Sequence, residues 1–575
     1  MPLSFGQQRI WFLEQLEPGT ALYNMPMALR LKGMLDRDAV QRAINALVAR
    51  HESLRTRFVL QGEYPVQVVD EESLVNLCIV DSIETPDSNL LARQRLQPSS
   101  PKNTGSSSPV VERLIQEEIN RPFDLTNDHL LRVKLVRVAE QEHVLIVTMH
   151  HIVSDEWSLR ILFEELGQLY KGFAEGSIVN LPELPMRYTD YAVQQRQGLR
   201  GEALEMEYWR RQLAGRQEIF EITTDRPRDG VPRFRGAIAR RELGKDLSTA
   251  CRALENQQHA TAFMLHLAAF TALLSRYTQQ EDILVGCPVA GRNQVETEGI
   301  IGFFVNTILL RTRVSGEQLF MHFLREVRQR TIESYSHQDV PIEKLVEELH
   351  PERSLSHLPF TRVMFAMQNE LFERATWGLL EVEFLDVATD TAKFDLTFLI
   401  QGSSKGLIAL VEYNSGLFET ATIDRLLEHY EILLRAAIAQ PESRISELPL
   451  INDTERRLLL ESWNATETNY PKNSRIHEIF EAQAHATPSA TALSFAEISL
   501  TYRELNARAN QLARYLKSRG ADSSRPVAIC ADRSTDMIVA VLAVLKAGAA
   551  YVPLDPEYPP AQLEYMLRDM AAPSC

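Results

Sequence analysis

Between His143 and Phe173 the polarity pattern changes period once. Val144 to Met149 is an unbroken apolar run of strand length, rich in β-branched residues, and predicts a strand covered on both faces. After His150-His151-Ile152-Val153-Ser154-Asp155 the period becomes helical. Leu159, Leu162, Phe163, Leu166, Leu169, Tyr170 and Phe173 recur at three- and four-residue steps, so one face of a helix is buried. Asp155 stands where the N-cap belongs, and Glu156 lies in the first turn, where a carboxylate suits the helix dipole. The unit reads strand, polar loop, helix.

Similar patterns run along the rest of the chain. Asp36 caps a helix through Arg50 with Val40, Ile44, Leu47 and Val48 as its buried stripe, and a β-hairpin follows around Gln61-Gly62. The stretch 98–109, PSSPKNTGSSSP, carries nothing to bury and predicts a flexible surface excursion. Leu181-Pro182-Glu183-Leu184-Pro185 reads as a connector, and a helix through Leu213 follows Tyr188-Thr189-Asp190-Tyr191-Ala192-Val193. Beyond it come a strand at Ile238–Leu243, helices at Leu247–Leu254 and Ala262–Tyr277, and a strand at Ile283–Val289. That alternation predicts an α/β fold. Near the other end, strand Val527–Ala531, helix Thr535–Lys546 and strand Ala550–Leu554 read as a βαβ unit.

Composition narrows the function. The 575 residues allow about three or four domain-sized units. A net charge of −16 argues against nucleic acid or an anionic membrane as the main partner. No apolar stretch reaches spanning length and the N-terminus lacks a secretory pattern. The scattered cysteines Cys78, Cys251, Cys287, Cys530 and Cys575 fit a reducing, cytoplasmic setting.

The candidate chemistry sits at the end of the central strand. Strand side chains alternate, so His150 and His151 face one cavity only if the strand ends between them; either both are core histidines beside a helix cap, or one is structural and the other is presented to a substrate. Asp155 either orients an imidazole or only caps the helix. Two histidines and a carboxylate form a partial metal set, but adjacent strand histidines diverge and no ligand spacing supports a metal.

Met149-His150-His151-Ile152-Val153-Ser154-Asp155 with Trp157-Ser158 resembles the HHxxxDG core motif of condensation domains of nonribosomal peptide synthetases, in the chloramphenicol acetyltransferase-like superfamily. Other stretches resemble that family's motifs in order: Ser4 to Leu13, Arg50 to Phe58, Tyr188 to Val193, Ile301 to Thr307, His337 to Glu343, and Pro351 to Ser356 with Val363-Met364-Phe365. Retained histidines separate the chain from heterocyclisation domains. The FFVNT and HQDVP patterns separate it from epimerisation domains and resemble domains that accept an L-configured donor. From Leu500-Thr501-Tyr502-Arg503-Glu504-Leu505 and Leu545 to Asp555 the chain resembles the start of an adenylation (AMP-binding) domain. Its phosphate loop is not in the sequence, so productive ATP binding is not expected.

The resemblance implies an α/β fold of two chloramphenicol acetyltransferase-like lobes in a V, with a tunnel between them. Residues 1–178 and 179–445 would form the lobes, 446–473 a linker and 474–575 a partial adenylation subdomain. It implies amide bond formation between donor and acceptor thioesters on the 4'-phosphopantetheine arms of upstream and downstream peptidyl carrier proteins, alongside other synthetase modules. No cofactor, metal, nucleic acid or membrane is expected on this chain. His151 is the expected active residue, with His150 and Asp155 beside it. Arg292 would pair with Asp155 across the lobes, which makes Asp155 a structural anchor, and Ser154 and Glu156 would support the site. Two positions depart from the family pattern: Ile342 replaces a phenylalanine, and Glu156 replaces the motif glycine. At a helix start Glu156 is expected to point to solvent. The competing functions are acyl transfer to a free amine or alcohol, epimerisation, and an inactive docking fragment.

Overall fold

The computed structural model describes residues 1–71, 73–81, 109–198, 202–215, 220–228, 234–349, 360–368, 374–387, 389–403 and 405–570. The polar stretch 98–108 and the motif segment 351–356 lie outside the described residues, whereas Pro109 opens helix Pro109–Ile119. The chain divides into two compact units, Met1–Arg456 and Arg457–Cys575.

The first unit holds two six-stranded sheets. At the middle of one lies Glu142–His150, antiparallel to Asn24–Lys32 on one side and to Leu131–Ala139 on the other. Its apolar run has the expected cause. Leu145, Val147 and Met149 pack with Val40 and Leu47 of helix Arg37–Arg50 and with Leu162 and Leu166 of helix Glu156–Glu175. Val144 and Ile146 pack on the other face with Val111, Ile115 and Ile119. Each such side chain, fully buried, contributes about 1.5–3 kcal/mol, so two covered faces hold the strand that ends in the histidines.

The outer edge of this sheet comes from far along the chain. Hairpin strands Arg374–Trp377 and Leu380–Leu385 add to Asn24–Lys32, with Ala28 opposite Leu385 and Lys32 opposite Glu381. A boundary at 178/179 therefore assigns to the second lobe a hairpin that pairs in the first sheet. The period of a strand shows that it is a strand, not which distant edge it completes. Trp377 is buried against Phe163, with ring centroids 5.3 Å apart, and holds the hairpin onto helix Glu156–Glu175.

The second sheet runs Gly236–Leu243, Gly406–Asn414, Leu396–Ser403, Val363–Gln368, Asp282–Val289, Asn306–Arg313. Helix Ala262–Thr278 is buried over most of its circumference in this core, as its composition predicts. The segment Tyr188–Arg196 is a helix of its own, and the helix expected after it through Leu213 is Glu202–Leu213. The expected linker contains helix Asp453–Arg457 and one π-helical turn, Leu458–Ser462.

In the second unit, strands Val527–Cys530 and Tyr551–Leu554 pair in parallel around helix Thr535–Ala547, as the βαβ pattern predicts. Helix Tyr502–Ser518 packs on it through Ala513 and Leu516, and starts with a Thr501–Glu504 capping box. Among the described residues no helix is long and apolar enough to cross a membrane.

Gly167 shows how closely the hairpin docks: a Cβ there would lie 2.3 Å from Trp377 Nε1. Alanine would favour the helix by about 1 kcal/mol, but it overpacks a buried contact at a cost of about 1–3 kcal/mol. Gly167→Ala is expected to lower the denaturation midpoint of the first unit and shift its tryptophan fluorescence. An unchanged midpoint would show that the hairpin is loosely held.

Candidate functional site

The site is built on the end of the central strand. His150 is its last residue, opposite Asn24, and its backbone N–H donates to the Leu130 carbonyl. His151 starts a 3-10 turn, His151–Val153. The strand thus ends between the two histidines, and their environments diverge.

His150 is buried between the rings of Tyr23 and Phe123, 6.1 and 5.9 Å away. Its Nδ1 accepts from Ile152 N–H at 3.2 Å, so the imidazole caps the turn that carries His151. With Nδ1 accepting, the proton of the neutral ring sits on Nε2, 3.9 Å from Glu14 Oε2. Burial pushes His150 down to about 3, helped by Lys393 and Arg132. Burial also pushes Glu14 up to about 7, against a backbone hydrogen bond from Gly19. Among the described residues Glu14 Oε2 has no hydrogen-bond partner. Helix Phe5–Leu16 carries Glu14 and grips the same turn through Gln7 Nε2, which donates to the Ile152 carbonyl.

His151 is half-buried, its ring edge-on to Phe303 at 5.0 Å. Its backbone N–H donates to the Tyr23 carbonyl at 2.8 Å. Nδ1 lies 2.7 Å from the Ser154 carbonyl. A carbonyl only accepts, so Nδ1 carries the proton and Nε2 keeps a lone pair. Desolvation, with Lys393 next, holds His151 well below the ordinary histidine pKa, so the ring is neutral at neutral pH. Ser154 is itself fixed, its hydroxyl donating to the His150 carbonyl at 3.3 Å.

Asp155 caps helix Glu156–Glu175 as expected, accepting from Ser158 N–H at 2.8 Å and from the Ser158 hydroxyl at 2.6 Å. It also accepts from Arg292 at 3.1 Å and from Phe304 N–H at 3.1 Å. Arg292 gives its other amino group to the Thr297 and Ile300 carbonyls and lies over the Phe304 ring at 4.0 Å. The side chains are 0% and 1% exposed. Asp155, grouped with the histidines in the sequence, has its oxygens filled by these donors and hydrogen-bonds to neither imidazole. It anchors the lobes.

Glu156 departs from expectation. It is half-buried and its Oε2 accepts from Gln368 Nε2, at the end of strand Val363–Gln368 in the second sheet, at 3.0 Å. Desolvation raises its pKa, Asp155 adds to the rise, and Gln368 opposes it. The helix-start pattern gave the position but not the second lobe that covers it.

Glu14, Tyr23 and Lys393 were not singled out from the sequence. Glu14 falls on the buried side of an amphipathic helix, a position where an acidic residue signals a special environment. Lys393 carries no such sequence signal.

A family model described as "Condensation domain" matches residues 1–460, and one described as "AMP-binding enzyme" matches residues 480–574. A linear gramicidin synthase of Brevibacillus parabrevis is 41% identical over 100% of this chain and 7% of its own length. Gramicidin S synthase 2 of Brevibacillus brevis is 36% identical over 99% of this chain and 12% of its own. The chain thus spans a small part of such relatives. Among solved structures, a four-domain nonribosomal peptide synthetase bound to AMP and glycine aligns with a TM-score of 0.82 at 22% identity, covering 99% of this chain and 43% of that one. The X-domain from teicoplanin biosynthesis aligns at 0.69 and 26%, covering 78% of this chain and 97% of that one.

Two outcomes follow from the geometry. Asp155→Ala leaves a buried guanidinium unpaired and is expected to cost about 3–5 kcal/mol. Asp155→Ala with Arg292→Ala should cost less than the sum of the singles; additive denaturation free energies would show that the two do not interact. Glu14 has a folded-state pKa raised to about 7 from 4.5. The folded protein therefore holds this proton where the unfolded chain has lost it, and stability falls as pH rises through that window. The penalty is absent below 4.5 and complete above about 7, at about 3 kcal/mol. Glu14→Gln should match wild type at low pH and become progressively more stable than wild type as pH rises to 7. A constant difference across pH would refute the raised pKa.

Proposed function

The chain belongs to the condensation-domain family, and we propose that its first unit joins two carrier-bound substrates through an amide bond. The donor is an aminoacyl or peptidyl thioester and the acceptor an aminoacyl thioester. Each is presented on the 4'-phosphopantetheine arm of a peptidyl carrier protein, the arms entering a tunnel between the lobes. The second unit is the start of an adenylation domain, and the whole works in the cytoplasm with other synthetase modules. The lobes are those read from the sequence, with hairpin 374–385 returned to the first.

The observation that carries this reading is the state of His151: a neutral imidazole whose Nδ1–H is committed to Ser154 O, leaving Nε2 as an acceptor. The chemistry asks little more. A thioester is already activated, and an α-amine with a pKa of about 8 is partly neutral at cytosolic pH. An acceptor nitrogen orients that amine by taking a hydrogen bond from it. Because desolvation weakens it as a base, His151 acts first as a positioner. His150 sets the turn, Ser154 fixes the His151 tautomer, and Asp155 with Arg292 holds the lobes together. Glu156 directs its carboxylate to Gln368 and makes no hydrogen bond to His151, which supports an active site over a docking fragment.

Donor and acceptor carriers loaded with amino acids should yield a dipeptidyl thioester by intact mass. Product only with a soluble amine would favour acyl transfer to a free acceptor instead. His151→Ala should abolish the dipeptidyl product and leave the melting temperature near that of wild type. His150→Ala leaves the buried Ile152 N–H without its acceptor, so it should mainly destabilise, by about 1–3 kcal/mol. A well-folded, inactive His150→Ala beside an active His151→Ala would reverse the assignment.

A further inference from the structure

Amide formation from a thioester creates negative charge on oxygen, and the site holds four cations to set against it. Three are engaged. Arg292 is locked to Asp155, Arg132 to Glu118 at 2.6 Å, and Arg9 to Glu343 at 3.0 Å. Both histidines are neutral, and the His151 Nδ1–H is spent on Ser154. Lys393 is the fourth. It lies just before strand Leu396–Ser403 of the second sheet, with its ammonium 5.5 Å from the centre of the Tyr23 ring. The same Tyr23 accepts the His151 backbone N–H through its carbonyl and sets its ring beside His150. Among the described residues the Lys393 ammonium has no carboxylate within ion-pair distance and no hydrogen-bond acceptor, while its backbone N–H donates to the Glu412 carboxylate. Its surroundings are Tyr23, His150, His151, Arg9 and, acting from strand Gly406–Asn414, Glu412. Burial lowers it to about 8, Arg9 acting in the same direction and Glu412 against it. A half-buried ammonium held without an ion pair is costly to keep, and pre-placed positive charge acts most strongly on charge that appears only in the transition state.

We propose that Lys393 stabilises the oxyanion formed when the acceptor amine adds to the donor thioester. In that step the nitrogen lone pair forms a C–N bond and the carbonyl π pair moves onto oxygen beside the ammonium. The oxyanion then re-forms the carbonyl as the C–S bond breaks. The thiolate leaves and takes up the proton lost by the amine nitrogen, so one amide and one thiol replace one thioester and one amine. The inference rests on the amide-forming reading above.

The test uses the full chain with loaded donor and acceptor carriers and follows the dipeptidyl thioester from about pH 6.5 to 9.5. Lys393→Met should lower kcat about tenfold or more near pH 7.5 while KM for either carrier stays within about threefold. In wild type the rise in kcat as the acceptor amine loses its proton should be cut off by a falling limb above about 8, where the ammonium is lost. That limb should vanish in Lys393→Met and move to higher pH in Lys393→Arg, which should also recover much of the rate. Unchanged kcat and an unchanged falling limb in Lys393→Met would overturn the proposal. Should the methionine variant fail to fold by thermal melting, the arginine variant decides: a falling limb at the wild-type pH refutes the role of Lys393. No dipeptide from wild type would instead refute the amide-forming reading.

Discussion

The pair Asp155–Arg292 is the constraint on which the site depends. Both side chains are out of water, and a buried carboxylate and guanidinium are tolerable only when their hydrogen-bonding capacity is filled. Here it nearly is. Ser158 and Phe304 complete the aspartate, while the Thr297 and Ile300 carbonyls take the other guanidinium amino group. Among the described residues Arg292 Nε finds no partner. One interaction thereby fixes the start of a helix in one lobe and the 292–304 loop of the other. The turn bearing His151 lies directly between that anchored helix and the end of a strand buried on both faces, so it inherits its position from both.

Burial then separates two chemically identical residues. His150 lies among aromatic rings with its Nδ1 tied to the backbone two residues on, a location that makes it part of the scaffold. His151, one step past the end of the strand, is half-buried, and its tautomer is set by a carbonyl three residues away. The adjacent helix Phe5–Leu16 packs against the same turn. It supports this division through Gln7 on the Ile152 carbonyl and Glu14 facing His150.

What was legible in the sequence was what local periodicity and capping encode: the doubly buried strand Val144–Met149, the Asp155 cap, the Asp36-capped helix and the βαβ unit near Val527. What was not legible depends on residues hundreds of positions apart. The period-2 pattern of Leu380–Leu385 does not say that it pairs with Asn24–Lys32. A glutamate in a first helical turn looks solvated until Gln368 of another sheet is placed against it. Lys393 has no unusual neighbours in sequence, because its character comes from partial burial beside Tyr23 with no ion pair among the described residues. The Asp155–Arg292 contact was anticipated only through family resemblance, since nothing in the spacing of the two residues brings them together.

The electrostatics of the site suit a reaction whose substrate is already activated. Desolvation removes charge from both histidines and keeps Glu14 protonated to about neutral pH. A site that had to generate a strong nucleophile would gain little from a histidine so weakened as a base. A site that needs only to orient a neutral amine loses nothing, because hydrogen-bond acceptance by Nε2 requires the unprotonated ring. The same dryness that lowers the basicity of His151 strengthens the effect of any fixed charge on the transition state. Weak base chemistry and strong electrostatic stabilisation are therefore two consequences of one packing arrangement.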